Sequence, residues 1–147
     1  MTATGCATAP ITESHNASPD TRHQKGLETI EKITGESGAK VVEGVKEIAP
    51  DLANWTIEFA YGDVLSRPAL DLRSREFATI AALTTMGSYS SLLKVHIKAA
   101  LRVGCKPEEI AEVILQMSVY AGFPASITAI NIAKEVFKEQ GISLGKH

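Results

Sequence analysis

The chain is poor in the residues that staple small secreted domains and in those that fill an aromatic core: 147 residues hold two cysteines, one Trp, three Tyr and four Phe. Cys6 and Cys105 are too few and too differently placed for a disulfide framework, one in a polar leader and the other in an expected loop. Both are read as reduced thiols. Neither sign of charge dominates. A formal charge of −2 and a pI near 6.1, with Lys and Arg scattered, leave no basic surface for a phosphate backbone and exclude DNA and RNA as partners. No apolar run approaches the roughly 20 residues that cross a bilayer, and Met1–Asp20 lack the basic start and apolar centre of a secretory signal. A cytoplasmic protein without a membrane partner is therefore expected. His15, His23, His96 and His147 show no ligand spacing with one another or with carboxylates, and no glycine-rich phosphate loop is present, so no metal and no cofactor is expected.

What is present is enough for one soluble domain: 44% apolar residues and a mean hydropathy of +0.02, in a chain long enough to bury a core unaided. Residues 1–21 are rich in Thr, Ala, Ser, Asn and Pro without periodicity. They are expected to form a flexible arm, with residues 22–147 as a single domain. From Arg22 onward the spacing predicts helices over about His23–Thr34, Gly38–Glu47, Leu52–Tyr61, Leu72–Met86, Ser90–Val103, Pro107–Ala121 and Ala125–Gln140. Breakers stand between them at Gly35, Pro50, Gly62, Pro68, Gly87, Gly104 and Gly141, and Asp71 suits the N-cap of the fourth. Strand alternation never persists, so the expectation is an all-α bundle of six to seven antiparallel helices. The later helices are dense in Ala, Ile, Val and Leu on more than one face, Phe77, Ala78, Ile80, Ala81, Ala82 and Leu83 of the fourth being an instance. That favours burial at the subunit contacts of a homo-oligomer, with a deep core helix in a monomer as the alternative.

A buried polar site is suggested by residues 88–124. On the fifth helix Leu92, His96, Ala99, Ala100 and Val103 fall on one face, so His96 points toward the core. A buried imidazole needs partners for both ring nitrogens, and it titrates where proton transfer is most useful. On the sixth helix Pro107 fits the first turn, Glu108 and Glu109 suit its positive end, and Gly122 with Pro124 ends it. Glu112, Gln116 and Tyr120 repeat there at i, i+4, i+8 and offer themselves as such partners. A lone histidine on an apolar face is, by itself, as well explained as a satisfied core residue.

Several fragments carry more than periodicity does. Phe59-Ala60-Tyr61-Gly62-Asp63-Val64, Arg67-Pro68-Ala69-Leu70, Ser74-Arg75-Glu76, His96-Ile97-Lys98-Ala99-Ala100-Leu101 with Gly104, Glu109-Ile110-Ala111-Glu112-Val113 with Gln116, and Tyr120-Ala121-Gly122-Phe123-Pro124 resemble, in order and spacing, the carboxymuconolactone decarboxylase family over about Trp55–Ala129. The resemblance implies an all-helical, alkylhydroperoxidase D-like subunit, a homohexamer built as a trimer of dimers, and a histidine pocket near a subunit contact. Peroxidase relatives of that superfamily use Cys-x-x-Cys-x-x-x-His. Anchored on His96, those cysteines fall on Tyr89 and Leu92, so the thiolate nucleophile and electron source is missing.

The resemblance therefore implies a lyase of aromatic-compound catabolism that converts 4-carboxymuconolactone to 3-oxoadipate enol-lactone and carbon dioxide. Such a step needs donors for a developing oxyanion and an acid for carbon. His96 is the expected proton donor, and the resemblance places Glu76 in the same pocket to orient it. Arg75, Arg73 or Arg67 is expected to hold a substrate carboxylate, Arg being suited to bidentate recognition. Gln116 and Tyr120 are candidates for substrate contact or for capping buried backbone groups. An Arg73–Glu76 surface pair and an exposed Arg75 are the plainer alternatives. On the same scaffold, a non-catalytic oligomeric protein binding a small acid or a partner, or a cysteine-independent alkylhydroperoxidase relative, remains the other function class.

Overall fold

A computed structural model describes residues 19–143, and among these every regular element is helical. The order is α1 (Pro19–Ile33), α2 (Glu36–Lys46), α3 (Pro50–Trp55), a π-helical segment (Thr56–Leu65), α4 (Leu72–Met86), α5 (Ser90–Arg102), α6 (Pro107–Ala121) and α7 (Phe123–Glu139). The all-α expectation holds. Most of the expected arm, with Cys6 and His15, lies outside the described residues, as does His147. Residues 19–21 are the exception, because α1 starts on Pro19, whose fixed φ and missing N–H suit a first turn.

Two boundaries differ from the sequence reading for identifiable reasons. Residues 52–61 do not form one α-helix: after Trp55 the chain widens into ten residues of π-helix. Pro124 does not end α6 but sits in the first turn of α7, and Gly122 alone, at φ 83°, makes the corner between them. α4 begins as expected, with the Asp71 carboxylate accepting from the Ser74 backbone N–H at 2.7 Å. Those backbone and side-chain contacts of Ser74 hold the Asp71 carboxyl below its ordinary range.

The core has two parts joined by α5. Ile80 of α4, Leu93, Ile97 and Ala100 of α5, Ile110 and Ile114 of α6, and Ala129, Ala133 and Val136 of α7 form the larger one. Ile30 and Ile33 of α1, Ile57 and Tyr61 of the π segment, and Ala99 of α5 form the smaller. Thus the face of α5 that enters the main core is Leu93, Ile97 and Ala100, one position away from the face expected at Leu92 and His96. His96 lies at the edge of that face. α4 packs on α5, α6 and α7 of its own chain, so much of its apolar girth is covered internally.

α1 and the π segment cross at two glycines. A Cβ on Gly26 would stand 2.1 Å from the Ile57 carbonyl oxygen, and one on Gly62 would stand 2.7 Å from that of Arg22. Beside this crossing Arg22 forks onto Asp63, its Nε donating at 3.1 Å to Oδ1 while Nη2 pairs with Oδ2. Gly26→Ala must therefore separate two backbones, and should lower stability by about 1–3 kcal/mol. Gly44→Ala on α2, where an added Cβ meets nothing within 4 Å, should instead stabilise by about 0.5 kcal/mol. Thermal melts of the two variants check the pair of opposite signs.

Candidate active site

Glu76 stands one turn into α4 and is completely buried. A carboxylate without water is tolerable only with a partner. His96, on the facing side of α5, supplies it: Nδ1 lies 3.0 Å from Glu76 Oε2. The His96 side chain keeps 15% of its surface exposed, and Nε2 has no protein partner among the described residues yet is not sealed from solvent. The ring is thus anchored on its inner nitrogen and open on its outer one. That is the arrangement of an oriented acid or base.

Three polar atoms of α4 are unspent among the described residues. Glu76 Oε1, Arg75 Nε and the Thr84 hydroxyl are all buried without a hydrogen-bond partner. Two further groups feel the Glu76 charge. Burial raises the Tyr61 phenol above its ordinary value, the Glu76 carboxylate adds to this, and a Thr34 hydroxyl opposes it. Burial likewise pushes up the Cys105 thiol, against the lowering effect of Arg73. Cys105 is buried and so is disfavoured as a thiolate.

The expected arginines separate into different roles. Arg73 does not pair with Glu76: its Nη2 donates at 2.8 and 2.6 Å to the two oxygens of Glu109, tying α4 to the start of α6. Glu109 Oε2 also accepts from the Lys106 backbone N–H at 2.8 Å. That backbone bond and the Arg73 guanidinium hold the Glu109 carboxyl low. Arg75 is half-buried rather than exposed, and Nη2 donates at 2.8 Å to the Arg67 carbonyl. Arg67 itself is exposed, and the bond draws its loop against α4.

Gln116 and Tyr120 are exposed on α6 and make no side-chain hydrogen bond among the described residues. They neither meet His96 nor cap buried backbone within this chain. The polar i, i+4, i+8 repeat with Glu112 is a solvent-facing stripe of the protomer, because Ile110 and Ile114 occupy the inward face. Tyr61 and Thr84 were not singled out from sequence, and each had only a weak signal: a tyrosine inside a motif and a threonine on an apolar helix. No group of three or more potential metal-ligating residues occurs among the described residues.

An all-helical subunit with a buried Glu–His pair bridging consecutive helices, and no dithiol before the histidine, defines a helical class in which Cys-x-x-Cys thiol chemistry has no residues to carry it. The comparisons with known proteins place it more closely. The carboxymuconolactone decarboxylase family profile matches residues 50–135, and the chain belongs to that family. It is 37% identical over 123 residues, 83% of this chain and 91% of the relative, to a 4-carboxymuconolactone decarboxylase of Acinetobacter baylyi. It is 32% identical over 100 residues, 67% of this chain and 75% of the relative, to an uncharacterized 15.0 kDa protein of Paracoccus denitrificans. A nitrosuccinic acid decarboxylase of Metarhizium robertsii is 29% identical over 82 residues, 56% of this chain and 57% of the relative. Two differently named decarboxylases among these relatives support a carboxy-lyase reaction.

The contact with a Glu76 carboxylate favours one tautomer. With Glu76 accepting at Nδ1, the neutral imidazole must carry its proton there and leave the Nε2 lone pair outward. Nitrogen-15 spectra of neutral His96 should show the Nδ1–H form, and Glu76→Leu should abolish that preference. A dominant Nε2–H form in the wild type would contradict the pairing.

Proposed function

We propose that the protein is a cofactor-free decarboxylase of a lactone carboxylic acid such as 4-carboxymuconolactone, yielding 3-oxoadipate enol-lactone, with His96 as the proton donor. The observation that carries this reading is the anchored, outward-open imidazole on a fully buried carboxylate. As the carbon–carboxylate bond breaks, carbon dioxide leaves and its electron pair enters the conjugated lactone, placing charge on the lactone oxygen. The dienolate then takes one proton at carbon. Protonated His96 delivers it from Nε2, and the ring regains it from solvent, so one proton is consumed per carbon dioxide released. Glu76 holds the ring in place and stabilises its charged form through the hydrogen bond. Arg75, whose Nε is buried without a partner, is the favoured anchor for a substrate carboxylate over Arg73, whose fork is taken by Glu109.

His96→Gln keeps a donor toward Glu76, so it should melt within a few degrees of the wild type while carbon dioxide release from 4-carboxymuconolactone falls by on the order of 10² to 10⁴. Wild-type turnover in a folded variant would remove His96 from the chemistry. A destabilised variant with normal turnover per folded molecule would make it a structural residue.

The same reading includes assembly. Two stripes of large apolar side chains lie uncovered in the protomer. One runs Ile48, Leu52, Trp55 and Phe59, with Ile48 91% exposed, and the other runs Leu115, Val119, Phe123 and Ile127, with Val119 76% exposed. Stripes of this kind mark interfaces. Two distinct stripes supply the two kinds of contact that a closed assembly larger than a dimer requires, consistent with a hexamer built as a trimer of dimers. The first stripe starts at Ile48, before α3, and runs into the π segment, while the second lies on α6–α7, two of the later helices; α4 is largely covered within the chain. Gln116 and Tyr120 flank the second stripe, so any substrate contact by them would be made across such an interface. Light scattering should give a mass several times 15.7 kDa, and Val119→Glu with Ile127→Glu should reduce it. A wild-type monomer at micromolar concentration would overturn the assembly.

A further inference from the structure

A second concavity stands apart from the Glu76–His96 pair, between α6, α7 and the chain that follows α7. Its volume is about 620 Å³, within the range of about 300–1,000 Å³ typical of small-molecule sites. The floor is apolar, made by Ala111, Ala133, Phe137 and Ile142, and two ammonium groups, Lys134 and Lys138, stand on its wall. Neither His96 nor Glu76 lines it.

The charges of α7 are sorted across the helix. Glu135 and Glu139 turn to α5, where Lys94 and Lys98 neutralise them at 2.5 and 2.7 Å. Lys134 and Lys138, one residue before each acid, make no ion pair or side-chain hydrogen bond among the described residues. The i, i+4 spacing stacks them on one face, so like charges are held side by side over an apolar hollow. An anion between them would relieve that repulsion, and an apolar body attached to the anion would cover the floor.

We propose that this cleft is a binding site for an amphipathic monocarboxylate, a compound with an apolar chain or ring of several carbons and a single anionic head held by Lys134 and Lys138. The apolar body contributes the burial and the head fixes the orientation. The proposal is independent of the decarboxylase reading, since none of its residues belongs to the catalytic pair.

Calorimetric titration of the full chain with octanoate tests it, with octanamide and acetate as companions. Octanoate should bind, octanamide, which lacks the charge, should bind about tenfold or more weakly, and acetate, which lacks the chain, should give no heat. Lys134→Gln with Lys138→Gln, both on the surface, should weaken octanoate about tenfold and remove most of its salt dependence. Ile142→Ala should weaken octanoate while leaving that salt dependence in place. Absence of octanoate binding to the wild type, equal binding of octanamide, or unchanged affinity in the lysine double variant would each overturn the proposal. Lactone decarboxylation need not be measured, so its failure and the failure of this site are read separately.

Discussion

The burial of one carboxylate constrains much of this fold. Glu76 has no solvent to hydrate it, and His96 Nδ1 at 3.0 Å is its only hydrogen-bond partner among the described residues. Removing that partner outright would leave a buried, uncompensated charge, at a cost on the order of 3–5 kcal/mol. The helices that carry the two residues must therefore be held in fixed register. α5 is fixed on both sides, by Leu93, Ile97 and Ala100 in the larger core and by Ala99 in the smaller. α4 is fixed at its start by the Asp71 cap and by the Arg73–Glu109 fork to α6. The polar pair is the seam between two apolar packings.

The smaller packing explains why the π segment and its glycines bear on chemistry that they do not touch. Gly26 and Gly62 let α1 approach the π segment at backbone contact, and that approach buries Tyr61 beside α5. Tyr61 is buried there, and the Glu76 charge adds to the effect of burial in raising its phenol. A loosened crossing would open the smaller core to water and, through Ala99, loosen the hold on the helix that carries His96. Long π segments are uncommon and are found disproportionately near functional sites, and this one carries the Phe59–Val64 motif of the family.

Most helices were legible in the sequence because their stops are chemical: Asp71 caps, Pro107 starts, Gly87 and Gly122 turn with positive φ. The π segment was not, since residues 52–65 carry no breaker before Gly62 and nothing in local spacing separates an i+5 ladder from an i+4 one. His96 was legible as a polar residue near a core face, but its partner was not, because Glu76 lies 20 residues away and only the family resemblance joined them. The polar repeat on α6 misled for a definable reason. A stripe at i, i+4, i+8 is what both a pocket wall and a solvent face look like, and Ile110 and Ile114 decide for the second. The arginines could not be sorted from sequence either, since Arg73 and Arg75 differ by two positions on one helix while one faces Glu109 and the other the Arg67 carbonyl.

The protomer leaves the outer nitrogen of His96 partly open, with 15% of the side-chain surface exposed. Neither the α6–α7 cleft nor the small hollow bordered by Thr84 and Leu93 is lined by His96. An acid that protonates carbon must nevertheless work where water is scarce, because a dienolate exposed to solvent is discharged without control and its oxyanion is stabilised less by fixed donors than in a dry site. The proposed proton transfer therefore calls for a fuller cover of His96 Nε2 than the described residues of one chain provide. The same chain leaves two apolar stripes uncovered, one of them continuing directly from α3 into the π segment that packs against the smaller core. Association of copies would cover these apolar faces. In the proposed hexamer, a face that covered His96 Nε2 would couple association to the proposed proton transfer.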